Sequence, residues 1–349
     1  MQNLTRAHEQ LYRRHPDERF STINDLWKHC SDVRQWSTEE WVPPAELVIT
    51  PVLHELQTTY REKNQVLTEW GFTQLCSMAR VAKQTVNLLS PETASRVFME
   101  TLPRGTKPLQ LYTMGNTIRS IHPASYTRLY DVELLSVIQE FAVDFQPPQE
   151  AVTLDDPDSD IIPATGLYSG EQDSFVFMLD PTGWIEVESE AFCPGFFAWN
   201  SEVGRRTVGL QTFWFQAVCQ NHIVWDAVEV TEFSRKHTTN VGEALSNIRR
   251  LIEQLVNRRD ERRDAFAKTI ANAMKTRLGD QADDVLKILQ QRGIRKTLGN
   301  EALKIAQQQG AFTVFSVVDA LTRLAGKIPN AGERTEIDAK SSSLLALAV

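Results

Sequence analysis

The chain has 349 residues, with 37 Lys+Arg against 45 Asp+Glu for a formal charge of −8, 42% hydrophobic residues and 4 Cys. These are globular values, which exclude a collagen-like, a disulfide-framework or a wholly disordered chain. No run of about 18 apolar residues occurs, and the first residues show no apolar stretch after their charges, so the expectation is a soluble, cytoplasmic protein that folds without a metal or a disulfide.

In chain order, residues 1–105 read as a mostly helical region. The stretch Val66 to Ala82 places Leu67, Gly71, Leu75, Met78, Ala79 and Ala82 on one helical face. Ser90-Pro91-Glu92 supplies an N-cap, a proline at the first helical position and an early acid. Leu47-Val48-Ile49 is a short strand-like run behind the loop Trp41-Val42-Pro43-Pro44. From 106 to 240 the period changes and an α+β core is expected. Leu109–Met114 and Thr117–Ile121 form a hairpin about Gly115-Asn116, and a helix covers about Val132–Phe141. Strands are expected at Asp173–Asp180 and Gly195–Asn200, followed by a dense apolar helix from Leu210 to Trp225. Residues 241–327 read as a helical region that opens with one long helix, Gly242 to Leu278. Residues 328–349 read as a flexible tail. The fold class is therefore α+β: a helical N-terminal region, a central antiparallel sheet packed by helices, a long C-terminal helix and a helical tail.

Charge is distributed unevenly. Leu129 to Gly204 holds 16 acids and no Lys or Arg, whereas Ser234 to Leu278 holds 11 Lys+Arg against 5 acids. In the late helix the apolar stripe of Leu245, Ile248, Ile252 and Leu255 gives way in the same phase to Arg259 and Arg262 before Phe266 and Ile270 resume it. Unpaired arginine is too costly to bury, so the middle of this helix is expected to leave the core. Opposite charge on two parts of one chain also suits head-to-tail self-association.

Motifs for phosphate loops, dinucleotide binding, the hydrolase elbow and zincin chemistry are missing from the sequence. No cofactor is expected. Cys219 and His222, with Cys193 and His237 at a distance, are the one zinc-like set, and the acidic loop Asp155–Asp160 lacks the spacing of a calcium loop. Asn200-Ser201-Glu202 at a strand end is either a polar site or a cap for a following helix. The four cysteines fit small buried hydrophobes in a reducing compartment.

Several segments together carry a resemblance. Leu67–Cys76, Ile118–Ile121, Gly166–Asp173, Trp199-Asn200-Ser201-Glu202-Val203-Gly204, Val218–Trp225 and Arg235-Lys236-His237-Thr238 occur in this order, and they resemble the phage/plasmid-like proteins called domain of unknown function 932. The resemblance covers roughly residues 60–280. It carries no catalytic residue with it, and implies a gene of a mobile element in a bacterial host. A weaker, topological similarity is to the single-strand annealing proteins of DNA recombination. The leading expectation is thus a non-enzymatic, oligomeric protein that binds and anneals single-stranded DNA. Its phosphate contacts are expected at Arg205, Arg206, Arg235, Lys236, His237, Arg249, Arg250, Arg258, Arg259, Arg262 and Arg263, with Trp199 exposed for base stacking. Two alternatives are an anti-defence protein whose 129–204 surface mimics DNA charge, and an enzyme using Asn200, Glu202, Cys219 and His222.

Overall fold

The computed structural model describes residues 19–52, 55–148, 166–188, 190–216, 222–225, 232–235, 241–308, 310–325, 337 and 340–348. Its class is α+β, built on two sheets with helices packed against them.

The first sheet grows out of the N-terminal region, where strands alternate with the helices. After β1 (Arg19–Phe20) and helix α1 (Ile23–Trp36) come β2 (Ser37–Val42), β3 (Val48–Val52), β4 (Glu55–Tyr60) and β5 (Lys63–Leu67). The helices α2 (Glu69–Met78), α3 (Lys83–Val86) and α4 (Pro91–Thr101) follow, then the hairpin β6 (Leu109–Met114) and β7 (Thr117–Pro123). The mostly helical reading of residues 1–105 is corrected here. Strand β5 occupies the first part of the expected 66–82 helix, because Thr68 caps α2 by accepting from the Gly71 N–H. Ser90 caps α4 as expected, accepting from the Thr93 N–H. The sheet order is β2-β6-β7-β5-β4-β3, with β5 and β7 parallel and the other pairs antiparallel. Gly115 turns the hairpin at φ +59. One face buries Val42, Leu111, Ile118 and Ile121 against Leu75 and Phe98 of α2 and α4.

The second sheet follows helix α5 (Asp131–Phe141). It contains β8 (Leu167–Ser169), β9 (Ser174–Leu179), β10 (Ile185–Val187), β11 (Glu190–Asn200), β12 (Val208–Gln216), β13 (His222–Trp225) and β14 (Glu232–Arg235). Its main path is β1-β8-β9-β11-β12-β13, with β10 on β11 and β14 on β12. The apolar run Leu210 to Trp225, expected as a helix, is strand in its described residues, at the end of β12 and in β13. Leu210 and Trp214 turn to the helix-covered face and Phe213 to the other, and all three are buried. A strand buried on both faces loses the polar alternation that marks a strand in sequence.

Helices α1, α5 and α6 (Val241–Asn257) pack on Val176, Met178, Phe196, Ala198 and Leu210. The opposite face carries a ladder of buried aromatics: Phe175, Phe177, Phe197, Trp199 and Phe213. The expected long helix is two: α6, then α7 (Arg259–Lys275), divided at Arg258 with φ −103 and ψ 19. Helix α7 joins α8 (Ala282–Gln291), α9 (Lys296–Gln308) and α10 (Val314–Ala325) in a bundle. Phe266 attaches that bundle to the sheet, stacking on Trp214 at 4.1 Å and meeting Phe192 edge-on at 5.3 Å. Of the tail, Leu344, Leu345 and Ala348 are buried in this bundle. No helix among the described residues is long and apolar enough to cross a membrane.

Candidate functional site

The Asn200-Ser201-Glu202 turn is the join between the two sheets. Asn200 closes β11, and its amide donates to the Leu129 carbonyl at 3.0 Å and to Asp131 at 2.7 Å. The Ser201 hydroxyl donates to the Gln172 carbonyl and accepts from the Arg205 N–H. Glu202, 2% exposed, accepts from the Tyr112 hydroxyl at 2.9 Å, from Arg119 at 3.1 Å and, with its other oxygen, from the Asp131 N–H at the start of α5. Neither sequence reading of this turn holds. No helix follows for it to cap, and every one of its side chains is turned inward.

Around Glu202 the network is closed. Arg128 donates to the Glu202 carbonyl, to Gln110 and to Glu39, and lies over the Tyr112 ring at 3.9 Å. Arg206 is buried on Asp173 at 2.5 Å. The Asp131 carboxylate accepts from Ser174 at 2.6 Å. Burial pushes the Asp131 carboxyl up to about 7, reinforced by the Glu202 charge and opposed by the Ser174 and Asn200 hydrogen bonds and by Arg119. Burial likewise raises the Tyr112 and Tyr126 phenols and the Cys30 thiol. Gly204 closes the turn at φ +72. A Cβ there would sit 2.6 Å from His122, whose ring stacks on Tyr126 at 3.7 Å. Such an arrangement holds two sheets in register, because Glu202 of one sheet meets Arg119 of the other and Arg206 is paired with Asp173.

The predicted phosphate contacts fare differently. Arg258 pairs with Glu261 at 3.0 Å, and Arg263 with Asp260 and Asp264 at 2.9 and 3.1 Å. Arg259 pairs with Asp144 at 3.2 Å and with the buried Asp180. Arg262 donates weakly to Thr212 at 3.4 Å. The turn does leave the core as expected, but the guanidinium groups of Arg258, Arg259 and Arg263 meet the chain's own carboxylates. Arg206 is interior and Trp199 is 1% exposed, so neither offers the contact expected of it. Arg205 is half-buried over Trp70 at 5.8 Å, and Arg249 lies 3.9 Å from Glu140. Arg250 is exposed and bonded to Asn247, with no carboxylate partner among the described residues. Arg235 lies on β14 opposite Val208; Lys236 and His237 fall outside the described residues.

Of the acids of 129–204, Asp131, Asp173, Asp180 and Glu202 are buried, while Glu133, Glu140, Asp144, Glu171, Glu186 and Glu188 are exposed. Glu150 and the acidic loop Asp155–Asp160 lie outside the described residues, as does Cys219. Cys30, Cys76 and Cys193 are buried, in line with the sequence expectation. The Cys193 thiol donates to the Asp180 carbonyl. No group of three or more metal-ligating side chains occurs among the described residues.

What sequence reasoning missed are two exposed tryptophans. Trp36 ends α1 at 65% exposed, and Trp41 stands on the edge strand β2 at 46% exposed. Arg61, from the β4–β5 turn, donates to the Trp41 carbonyl and pairs with Glu46, while Lys63 pairs with Glu40. Arg34 lies over Tyr130 at 3.8 Å. The only sequence signal was the Trp-rich 36–41 stretch, and a tryptophan in sequence carries no mark of exposure.

Comparison with family models, with curated proteins and with solved structures finds no match for this chain.

Proposed function

We propose that the protein binds and anneals single-stranded DNA as an oligomer, without chemistry of its own, in the cytoplasm of a bacterium that carries a phage or plasmid element. The observation that supports this reading is the exposure of Trp36 and Trp41 in one short stretch, with Arg61 donating to the Trp41 carbonyl and Lys63 pairing with the adjacent Glu40. Bases stack on exposed indoles irrespective of sequence, and cations alongside follow the phosphates. The Arg61–Glu46 ion pair is at the surface and is worth at most about 1 kcal/mol, so a phosphate can displace its carboxylate at small cost. The stacking role expected of Trp199 passes to these two tryptophans, and Arg259, held by Asp144 and the buried Asp180, becomes structural. Self-association is supported by β3, an edge strand with Val48 and Val52 exposed.

The test is fluorescence anisotropy of the full chain with a labelled oligothymidine, together with the particle mass in solution. Trp36→Ala and Trp41→Ala are each expected to weaken binding by about 1–3 kcal/mol. Retention of full affinity by the double variant would rule the reading out.

A further inference from the structure

The C-terminal bundle contains a second, differently built surface. Helix α8 ends in a Schellman turn: the Gly293 N–H donates to the Gln290 carbonyl at 2.9 Å and the Ile294 N–H to the Leu289 carbonyl at 3.0 Å. Gly293 has φ +76, and Ile294 turns inward to 3% exposure. Four residues, Arg292 to Arg295, then separate α8 from α9. The two helices approach closely at Gly299, where a Cβ would lie 2.8 Å from the Leu286 side chain. Gly299, Ala302, Leu303 and Ala306 form the buried stripe of α9, and α10 backs it.

The outer stripe of α9 is the unusual part. Lys296, Thr297, Asn300, Glu301, Lys304 and Gln307 are all exposed, and no element among the described residues covers them. Between residues 285 and 312 the sequence has five Lys+Arg and a single acid, Glu301. Lys296 and Lys304 have no carboxylate partner among the described residues, as is true of Lys268 and Lys275 on α7, whereas Arg259 and Arg263 are paired. Helix, glycine turn of four residues and second helix with a cationic, amide-rich outer face is the arrangement that seats a helix in the major groove of DNA. Such a groove, about 12 Å wide, admits a helix, while Asn and Gln match adenine and Lys matches guanine.

We propose that α8 and α9 form a binding unit for double-stranded DNA, with the outer stripe of α9 in the major groove and the Arg292–Lys296 turn at the phosphate backbone. This surface shares no residue with the tryptophan pair and stands independently of the single-strand reading. It gives the chain separate contacts for duplex and for exposed strand.

The experiment measures binding of the full chain to a short random-sequence duplex and to one of its strands, by anisotropy across about 50 to 200 mM salt. The variants are Lys296→Ala/Asn300→Ala/Lys304→Ala and Trp36→Ala/Trp41→Ala. For the first, duplex affinity is expected to fall at least tenfold. Its slope of log affinity against log salt is expected to shrink by about two, one counterion for each lysine. Single-strand affinity is expected to be unchanged. All three substitutions lie at exposed positions, and far-UV circular dichroism checks that the bundle persists; if it does not, Lys304→Gln alone, expected to lower the slope by about one, takes its place. Absence of duplex binding by the unaltered chain at the lowest salt overturns the proposal, as does duplex binding that the α9 substitutions leave unchanged. Loss of single-strand binding only in the tryptophan variant leaves the two surfaces distinct.

Discussion

Asp131 has its carboxyl wholly out of water, with Glu202 as its neighbour and Ser174 and Asn200 as donors. Its native pKa, raised to about 7, lies above the ordinary value of 3.8. Between these values the native state holds a proton that the unfolded chain has released. The stabilising contribution of the protonated acid is therefore full below about pH 4 and is lost as pH rises through about 7. Asp131→Asn removes that dependence. Urea midpoints of both proteins at about pH 5 and about pH 8 should show the parent losing stability relative to the variant on the alkaline side. A difference constant across this window would contradict the assignment. Nothing in the sequence marked this group. Asp131 looks like any first-turn acid of a helix until Ser174 and Asn200, some 43 and 69 residues later, close over it.

At the scale of elements, local chemistry was legible and burial on two faces was not. The hairpin about Gly115 and the Ser90-Pro91 start of α4 need only neighbours in sequence, and both form as read. Thr68 does more than cap α2. Its hydroxyl also donates to the Arg119 carbonyl at 3.0 Å, joining the α2 start to β7. Thr68→Ala should cost about 1–2 kcal/mol, against at most about 1 for the exposed cap Ser90→Ala, as read from chemical denaturation. Equal losses would show that the cross-strand bond contributes nothing. The break at Arg258 was half legible. An apolar stripe that turns to arginine must leave the core, but Asp144 and Asp180, the partners of Arg259, arrive from the α5–β8 connection and the end of β9. Long-range pairing of this kind has no local period.

For the whole molecule, Glu202 is the tie between the two sheets. It sits beyond β11 of one sheet and receives Tyr112 and Arg119 from β6 and β7 of the other. Glu202→Gln leaves Arg119, 7% exposed, without its carboxylate. The expected loss is about 3–5 kcal/mol, because an uncompensated buried cation is left behind. Guanidinium unfolding followed by circular dichroism measures it, and a loss below about 1 kcal/mol would show that the pair is not desolvated as placed. Charge at this scale also changed its meaning. The acid-rich 129–204 stretch and the basic late helix meet within one chain at Arg259, which takes up Asp144 and Asp180.

The sequence by itself determined the α+β class, the hairpin, the Ser90 cap, the inward turn of Cys30, Cys76 and Cys193 and the departure of the 258–263 arginines from the core. Each of these follows from residues a few positions apart. Only the tertiary structure decided that Trp199 is interior while Trp36 and Trp41 are exposed. It alone decided that the Ser-Glu turn is a keystone rather than an open site, and that Arg258, Arg259 and Arg263 meet the chain's own acids. Exposure and charge pairing are properties of what the rest of the chain brings alongside, and distant segments meet only on folding.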